Sequence, residues 1–291
     1  MSILNAKVLV EHAVKNNYAV PHINVNNLEW VKATLLTAEE AKSPLIISAS
    51  TSAIKYMGGY KTVCNLIKNM YDEYKMTIPL AIHLDHGNFE ACLLAIESGF
   101  TSIMFDGSSL DFSENYSKTA TLVKLAHDSN ISIEAEVGSI GGVEDDIISC
   151  GELASLEEAI QLSNLGIDFL AAGIGNIHGP YPKNWTSLDF NRLKEIREKT
   201  NLGIVLHGGS GIPEDQIKKA ISLGIAKINV NTELQQHFAR AVEEFVLSGK
   251  SKEKKNYDPR IFLKPGYEAV CKLLKSIFIL FGSLNKANDF F

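Results

Sequence analysis

The segment His83-Leu84-Asp85-His86-Gly87 places two imidazoles beside a carboxylate. The apolar run that precedes it, residues 78–82, predicts a buried strand that stops where these polar side chains begin. Because side chains alternate along a strand, His83 and Asp85 share one face, and His86 leaves the strand at its carboxyl end. An imidazole can bind a metal ion and a neighbouring carboxylate can transfer a proton, so the segment is typical of metal-assisted carbonyl chemistry.

The elements that must position this segment alternate along a chain of 291 residues. The apolar runs predict eight strands, at residues 19–25, 44–50, 78–86, 101–108, 131–138, 167–175, 202–211 and 225–232. Amphipathic stretches predict helices at residues 28–42, 60–74, 89–98, 113–128, 156–165, 188–200, 213–223 and 234–248. Such units close into a parallel barrel, so we expect one (β/α)₈ domain over residues 1–291. A further helix at 265–275 extends past the barrel as a C-terminal arm, whose apolar surplus predicts dimerisation.

Polar side chains end almost every predicted strand, and barrel enzymes build their sites at the carboxyl ends of strands. Three of them, His86, His178 and His207, could present neutral nitrogens to one divalent ion and leave positions open for substrate oxygens. This is the catalytic arrangement of zinc, which is the expected metal. Asp106 and Glu136 are candidate ligands of a second or alternate metal position, although hydrogen bonds to neighbouring loops explain them equally well.

The last two strands carry the signals of a phosphate site. His207-Gly208-Gly209-Ser210-Gly211 is a glycine-rich turn followed by Pro213, which predicts free N–H groups and a helix N-terminus facing one point. The end of the eighth strand, Asn229-Val230-Asn231-Thr232, adds amide and hydroxyl donors where barrels commonly bind phosphate. The alternative is a glycine turn that serves close packing alone.

Two more loops contain candidate functional groups. Lys183 follows the loop of His178 and could reach an anionic group. After the fifth strand, the segment 138–146 joins hinge glycines to a cluster of acidic residues that includes Glu144. Such a loop could be a lid that delivers a carboxylate to the substrate, or an ordinary solvated acidic loop.

Composition limits the partners and the compartment. A net charge of −6 argues against nucleic acid or an anionic membrane as a partner. The four cysteines show no Cys-x-x-Cys spacing, which argues against a disulfide framework or thiolate metal cluster and fits a reducing cytosol. We expect a cytoplasmic protein, with no signal peptide and no membrane-spanning segment.

These motifs together resemble the class II, metal-dependent fructose-bisphosphate aldolases and the related tagatose-bisphosphate aldolases. The resemblance extends from near Val20 to near Ala287. It is carried by Val20-Pro21-x-x-Asn24, His83-Leu84-Asp85-His86-Gly87, Glu134-Ala135-Glu136-Val137-Gly138, Gly141-Gly142-Val143-Glu144-Asp145, Gly175-Asn176-Ile177-His178-Gly179, His207-Gly208-Gly209-Ser210-Gly211 and Lys227-Ile228-Asn229-Val230-Asn231-Thr232.

The resemblance implies reversible cleavage of a ketose bisphosphate to dihydroxyacetone phosphate and glyceraldehyde 3-phosphate. It implies zinc on the three histidines, Asp85 as the acid/base at the substrate C4 oxygen, and Glu144 as the lid base. Asn24 and Ser50 would steady the enediolate. The phosphate, beside a monovalent cation such as Na⁺ or K⁺, would be held by Gly179, Gly208, Gly209, Ser210, Asn229 and Thr232. A homodimer or a larger homo-oligomer is expected.

Asn231 favours fructose 1,6-bisphosphate over tagatose 1,6-bisphosphate, because the fructose enzymes tend to carry Asn or Asp there and the tagatose enzymes Ala. The chain departs from the family pattern in its C-terminal arm, where residues 277–281 are more apolar than expected. Lys183 and Arg260, the latter from a neighbouring subunit, are the candidates for the second phosphate.

Three other functions remain open from the sequence. A Schiff-base aldolase would need a lysine nucleophile, for which Lys227 is the best-placed strand residue. A metal-dependent sugar-phosphate epimerase or isomerase would use the same barrel, metal and phosphate site. A sugar-phosphate sensor would bind the ligand without catalysis.

Overall fold

Eight parallel strands close into a barrel in the computed structural model, which describes residues 3–144 and 147–290, without the side chains of residues 143, 144 and 147–149. In chain order the described strands, of which β6, β7 and β9 lie outside the barrel, are β1 (Val20–Asn24), β2 (Leu45–Ser50), β3 (Leu80–Gly87), β4 (Ser102–Phe105), β5 (Ser132–Val137), β6 (Gly141–Glu144), β7 (Ile147–Ser149), β8 (Phe169–Ala172), β9 (Ile177–His178), β10 (Gly203–Leu206) and β11 (Ile225–Val230). The barrel order is β1-β2-β3-β4-β5-β8-β10-β11, and β11 pairs with β1. The predicted (β/α)₈ fold is confirmed.

Helices surround the barrel. They are α1 (Ala6–Asn16), α2 (Leu28–Glu40), α3 (Thr51–Tyr56), α4 (Tyr60–Glu73), α5 (Phe89–Ser98), α6 (Phe112–Asp128), α7 (Leu156–Ser163), α8 (Phe190–Thr200), α9 (Glu214–Ser222), α10 (Thr232–Leu247), α11 (Pro259–Phe262) and α12 (Lys264–Leu280). Several begin at side-chain caps: Asn27 accepts the N–H of Trp30, and Asn88 accepts that of Ala91. No helix in the described part of the chain is both long and apolar enough to cross a membrane.

The interior of the barrel changes from apolar to polar along the strands. At the amino-terminal end, buried apolar side chains of the strands cluster with Leu9 of α1; they include Val20, Ile46, Ala81, Phe169 and Val205. Two residues further along β1 and β3 lie His22 and His83, and two further again Asn24 and Asp85, all buried. Because every second side chain of a strand points into the barrel, these residues form a polar layer beneath the carboxyl ends of the strands.

The C-terminal arm packs against its own chain. Helix α12 contacts α2 and α10, and Ile277, Phe278 and Phe281 are buried there. These three side chains of the run 277–281 are therefore covered within the chain, while Ile279 is exposed. The dimer that the sequence predicts from the helix at 265–275 stays a prediction.

Three features of the fold differ from the expectation. Helices α1 and α3 were not predicted, and β6 pairs with β7 and β9 in a small three-stranded sheet beside the barrel mouth. In that sheet Gly142 pairs with His178. A loop predicted as a lid is thus connected through its backbone to a residue of the site.

Candidate active site

The end of β3 turns His86 out of the strand. Its φ of 46° lies in the left-handed region, and the pairing of β3 with β4 shifts register between Leu84 and Gly87. A non-glycine residue rarely adopts this backbone conformation, and such strain is typical of functional sites. The turn separates His86 from Asp85, so that two consecutive side chains both face the mouth of the barrel.

The structure brings the three predicted imidazoles together. The ring centroids of His86 lie 4.8 Å from His207 and 5.0 Å from His178, and those of His178 and His207 are 5.7 Å apart. One nitrogen from each ring lies within 4.8 Å of the others. Side chains from three segments far apart in sequence thus meet at one point.

Two of the rings are each held in orientation by a hydrogen bond to a carboxylate. His86 Nδ1 is 2.7 Å from Asp106 Oδ2, and His207 Nε2 is 2.8 Å from Glu134 Oε1. Because a carboxylate only accepts, each of these nitrogens carries the proton, and His86 Nε2 and His207 Nδ1 face each other at 3.1 Å. These two inward nitrogens belong to the ring edges that a shared ion would contact.

The electrostatics of the rings suit a cation. Burial, assisted by the charge on His86, lowers the pKa of His178 to about 3 and the pKa of His207 well below its usual value. Burial alone would lower the pKa of His86, but Asp85 and Asp106 outweigh it and raise that pKa well above normal. Nitrogen donors held by carboxylates fit a divalent ion such as zinc.

Asp85 lies beside the three rings and is almost fully buried. Its Oδ2 accepts a hydrogen bond from Asn24 Nδ2 at 2.8 Å, and its Oδ1 accepts one from Asn229 Nδ2 at 3.2 Å. Burial opposes its charge, but His86 and His207 outweigh that effect and lower the pKa of Asp85 below its usual value. The group is therefore an anionic carboxylate at the strand end, a form that can accept a proton.

The residues predicted to hold phosphate surround one small cavity. It is lined by Asn24, Asp85, His178, Gly179, His207, Gly208, Ser210, Asn229, Asn231 and Thr232. Gly209 is adjacent but does not line it. The helix N-terminus at the cavity is that of α10, where Ser210 Oγ accepts the N–H of Glu233. Helix α9, which the sequence assigned to this place, contributes no lining residue among those described.

The glycine pair also serves close packing, as the alternative interpretation proposed. Gly208 has φ 63°, and a Cβ there would lie 2.1 Å from the backbone oxygen of Ile177. A Cβ on Gly209 would lie 2.8 Å from the backbone oxygen of Asn229. The packing interpretation is supported, because only glycine lets the loops of His178 and His207 approach this closely, and the phosphate role stays a prediction.

Several predicted residues lie elsewhere. Ser50 is paired in register with Asp85 on the neighbouring strand, so it borders the site. Lys183 is exposed, and Arg260 is exposed and bonded to Asp258 at 2.6 Å in a separate groove; neither lines the cavity. The side chain of Glu144 lies outside the described part of the chain.

Two other clusters offer carboxylate and imidazole groups as ligands for a cation. Asp106, Glu136 and His86 offer ligand atoms within 4.8 Å, and Glu136 Oε2 is buried without a hydrogen-bond partner among the described residues. Burial and the charge of Asp106 raise the pKa of Glu136 well above normal. The second cluster, His22, His83 and Asp85, fits less well, because the Lys227 ammonium lies nearby and, after burial, is the main factor lowering the pKa of both histidines.

The structure places Glu134 and Lys227 beneath the site; sequence reasoning assigned no role to Glu134 and considered Lys227 only as a Schiff-base nucleophile. Glu134 bonds to His207, and Lys227 Nζ lies 2.8 Å from Glu134 Oε2. Lys227 Nζ is held by Glu134 and Asn229, and the ion pair with Glu134 favours the ammonium form, which is not a nucleophile. The two-residue period of a strand predicts that the side chains of Glu134 and Lys227 point into the barrel. It does not predict that they pair across the barrel.

The fold and the site together define a class: a (β/α)₈ barrel with a candidate histidine metal centre at the carboxyl ends of its strands. The family model described as fructose-bisphosphate aldolase class-II matches residues 4–286. The chain therefore belongs to the class-II fructose-bisphosphate aldolase family, which is metal-dependent. The resemblance drawn from the motifs is confirmed.

Individual relatives agree along the whole chain. A fructose-bisphosphate aldolase of Streptococcus pyogenes serotype M3 is 53% identical over 293 residues, covering 99% of this chain and 100% of the relative. One of Mycoplasma pneumoniae is 50% identical over 287 residues, covering 98% and 100%. Among solved structures, the YdjI aldolase from Escherichia coli K12 has a TM-score of 0.84 at 33% identity, covering 98% of this chain and 99% of that one.

Proposed function

We propose that this chain catalyses the reversible aldol cleavage of fructose 1,6-bisphosphate to dihydroxyacetone phosphate and glyceraldehyde 3-phosphate. The proposal rests on one observation: three imidazoles meet beside a buried carboxylate, at a cavity lined by groups that can donate hydrogen bonds to phosphate. Membership of the class-II aldolase family supports the same reaction. Asn231, which lines the cavity, supports fructose rather than tagatose bisphosphate.

His86, His178 and His207 are the proposed zinc ligands. The bound ion would polarise the substrate carbonyl and stabilise the negative charge that develops when the C3–C4 bond breaks. The nitrogens of His86 and His207 that face each other support this set. Asp106 and Glu136, with His86, are the proposed alternate metal position, which the partnerless oxygen of Glu136 supports.

Asp85 is the proposed acid/base at the C4 oxygen. In the cleavage direction its carboxylate takes the proton of the C4 hydroxyl, and in the synthesis direction it returns that proton. The amides of Asn24 and Asn229 hold both of its oxygens, so the carboxylate has a fixed orientation. Asn24 and Ser50 are proposed to steady the charged three-carbon fragment.

Glu144 is the proposed base that exchanges a proton with that fragment. Its strand, β6, pairs with β9, and Gly142 is in register with His178. Glu144 follows Gly142 by two positions on the same strand, so the backbone brings it near the barrel mouth. The alternative of an ordinary acidic loop does not explain this pairing.

Gly179, Gly208, Gly209, Ser210, Asn229 and Thr232 are the proposed phosphate site. The N-terminus of α10 supports it, since helix N-termini favour anions. Asn231 Oδ1, buried without a hydrogen-bond partner among the described residues, supports a monovalent cation beside the phosphate.

For the second phosphate we propose Arg260 of a neighbouring subunit in a homodimer, with Lys183 as the other candidate. The exposed thiol of Cys150 fits a reducing cytoplasm.

Removal of the metal tests the proposal. The purified protein should release triose phosphate from fructose 1,6-bisphosphate, lose this activity after dialysis against a chelator, and regain it with zinc. Borohydride added with substrate should not inactivate it. Activity that survives the chelator but not borohydride would contradict the proposal and favour a Schiff base. Isomerisation of a sugar phosphate without triose release would instead favour the epimerase or isomerase.

A further inference from the structure

A buried ion pair lies directly beneath His207 and takes no part in the proposed reaction. Glu134 on β5 accepts the Nε2 proton of His207 through Oε1 at 2.8 Å, and its Oε2 accepts from Lys227 Nζ at 2.8 Å. Neither Glu134 nor Lys227 has any exposed surface. Among the described residues Lys227 is the one lysine in the buried core.

The same ammonium also holds an active-site amide. Lys227 Nζ donates to Asn229 Oδ1 at 2.9 Å, and Asn229 Nδ2 donates to Asp85 Oδ1 at 3.2 Å. An amide has one oxygen end and one nitrogen end, so binding of its oxygen by Lys227 turns its N–H groups towards Asp85. Without the ammonium, the amide oxygen would lose this donor, and the orientation of the amide would depend on the contacts of its N–H groups alone.

The cost of burying this pair argues for a role other than stability. Buried ion pairs are often no more stable than apolar residues of similar volume, because both ions lose their hydration. The barrel base directly below is filled with apolar side chains such as Val20 and Phe169. Apolar side chains can therefore fill the interior of this barrel. The charges of Glu134 and Lys227 are retained at the level where they contact the site.

We propose that Lys227 is a positioning residue that orients two parts of the active site at once: the metal-ligand ring of His207, through Glu134, and the acid/base carboxylate Asp85, through Asn229. The inference rests on the proposed function for the roles of His207 and Asp85. It predicts that one substitution far from the substrate weakens zinc binding and slows proton transfer together.

The test compares Lys227→Met and Glu134→Gln, singly and combined. Zinc affinity is measured by competition with a chromophoric chelator, and kcat and KM are measured at saturating zinc. Each single variant should lose about 10- to 100-fold in zinc affinity, the usual effect of removing a group that orients a ligand. Lys227→Met should also lower kcat with little change in KM, whereas Glu134→Gln should affect kcat less. The double variant should lose less zinc affinity than the product of the single losses, because both substitutions act through one pair.

A matched control lies at the opposite end of the barrel. Asp168 is also buried and accepts from a lysine and a histidine, Lys7 Nζ at 3.0 Å and His127 Nε2 at 3.1 Å. Asp168→Asn should lower the unfolding temperature but leave zinc affinity and kcat unchanged, which separates loss of a buried carboxylate's ion pairs from loss of positioning.

Unchanged zinc affinity in both single variants would overturn the proposal, as would an equal loss in the Asp168→Asn control. If Lys227→Met does not fold, the zinc affinity of Glu134→Gln decides, since this substitution keeps the volume of the side chain. A wild-type chain that binds zinc but releases no triose phosphate would refute the proposed function, while the zinc affinities would still test Lys227.

Discussion

Asp85 occupies a position in which two amides bind its oxygens. Asn24 and Asn229 donate to opposite oxygens of the carboxylate. These neutral donors fix its orientation, while the nearby His86 and His207 outweigh burial, lower its pKa and keep it anionic. An acid/base that must gain and lose a proton in each cycle needs such surroundings.

Substitution of Asp85 should separate binding from turnover. Asp85→Ala removes the proposed proton acceptor but leaves the three histidines and the phosphate-site residues unchanged. We expect kcat to fall by about 10²- to 10⁴-fold, the usual contribution of a general acid/base. Zinc content per chain and phosphate binding should stay near wild type. Turnover close to that of the parent would mean that another group accepts the proton.

Asn231 is the residue at which sugar specificity can be tested. Its Oδ1 is buried at the cavity without a hydrogen-bond partner among the described residues, so a substrate hydroxyl could donate to it. Asn231→Ala should lower kcat/KM for fructose 1,6-bisphosphate by about tenfold, which is the value of one hydrogen bond. The loss for tagatose 1,6-bisphosphate should be smaller. Equal losses for the two epimers would show that Asn231 does not distinguish them.

At the scale of elements, the small sheet of β6, β7 and β9 connects the proposed lid to the metal centre. Gly142 has φ 95°, and a Cβ there would lie 2.0 Å from the backbone oxygen of His178. The hairpin can approach β9 this closely only because position 142 has no side chain. Displacement of the hairpin would move both Glu144 and the His178 loop.

Gly142→Ala should therefore reduce activity more than stability. The added methyl must push β6 away from His178, and a misplacement of about 1 Å can cost about 100-fold in rate. Gly59→Ala is the matched control, because Gly59 also has a positive φ, 109°, but a Cβ there meets nothing within 4 Å. Gly59→Ala should lose about 1–2 kcal/mol of stability from backbone strain, and Gly142→Ala should lose that and the cost of displacing β6. Only Gly142→Ala should lose kcat; equal kcat in the two variants would separate the hairpin from catalysis.

The barrel could be predicted from the sequence because its apolar runs are long and buried on both faces, and the convergence of the histidines follows from parallel strands ending at one edge. The sheet of β6, β7 and β9 could not. Its strands have two to four residues, and Gly141-Gly142 favours a turn. Likewise, strand period turns Glu134 and Lys227 inward, but their contact depends on which strands face each other across the barrel.

At the scale of the whole molecule, the three histidines join distant parts of the chain. His86 ends β3, His178 lies in β9, and His207 follows β10. An ion held by all three would bind the folded chain and not the unfolded one, so it would add to the free energy of unfolding. Binding can therefore be followed by thermal unfolding, without any assay of activity.

Zinc should raise the unfolding temperature of the metal-free chain. At a free concentration about 100 times its Kd, the ion adds about 2.7 kcal/mol, and this should shift Tm upward by about 4–5 °C for a chain of 291 residues. His178→Ala removes one of the proposed ligands and should lose most of the shift, whereas Asp85→Ala keeps all three rings and should retain it. A shift of full size in His178→Ala would mean that zinc binds elsewhere or that two rings suffice. The contrast between the two variants is decisive because both side chains line the same cavity, yet only one of them is proposed to hold the ion.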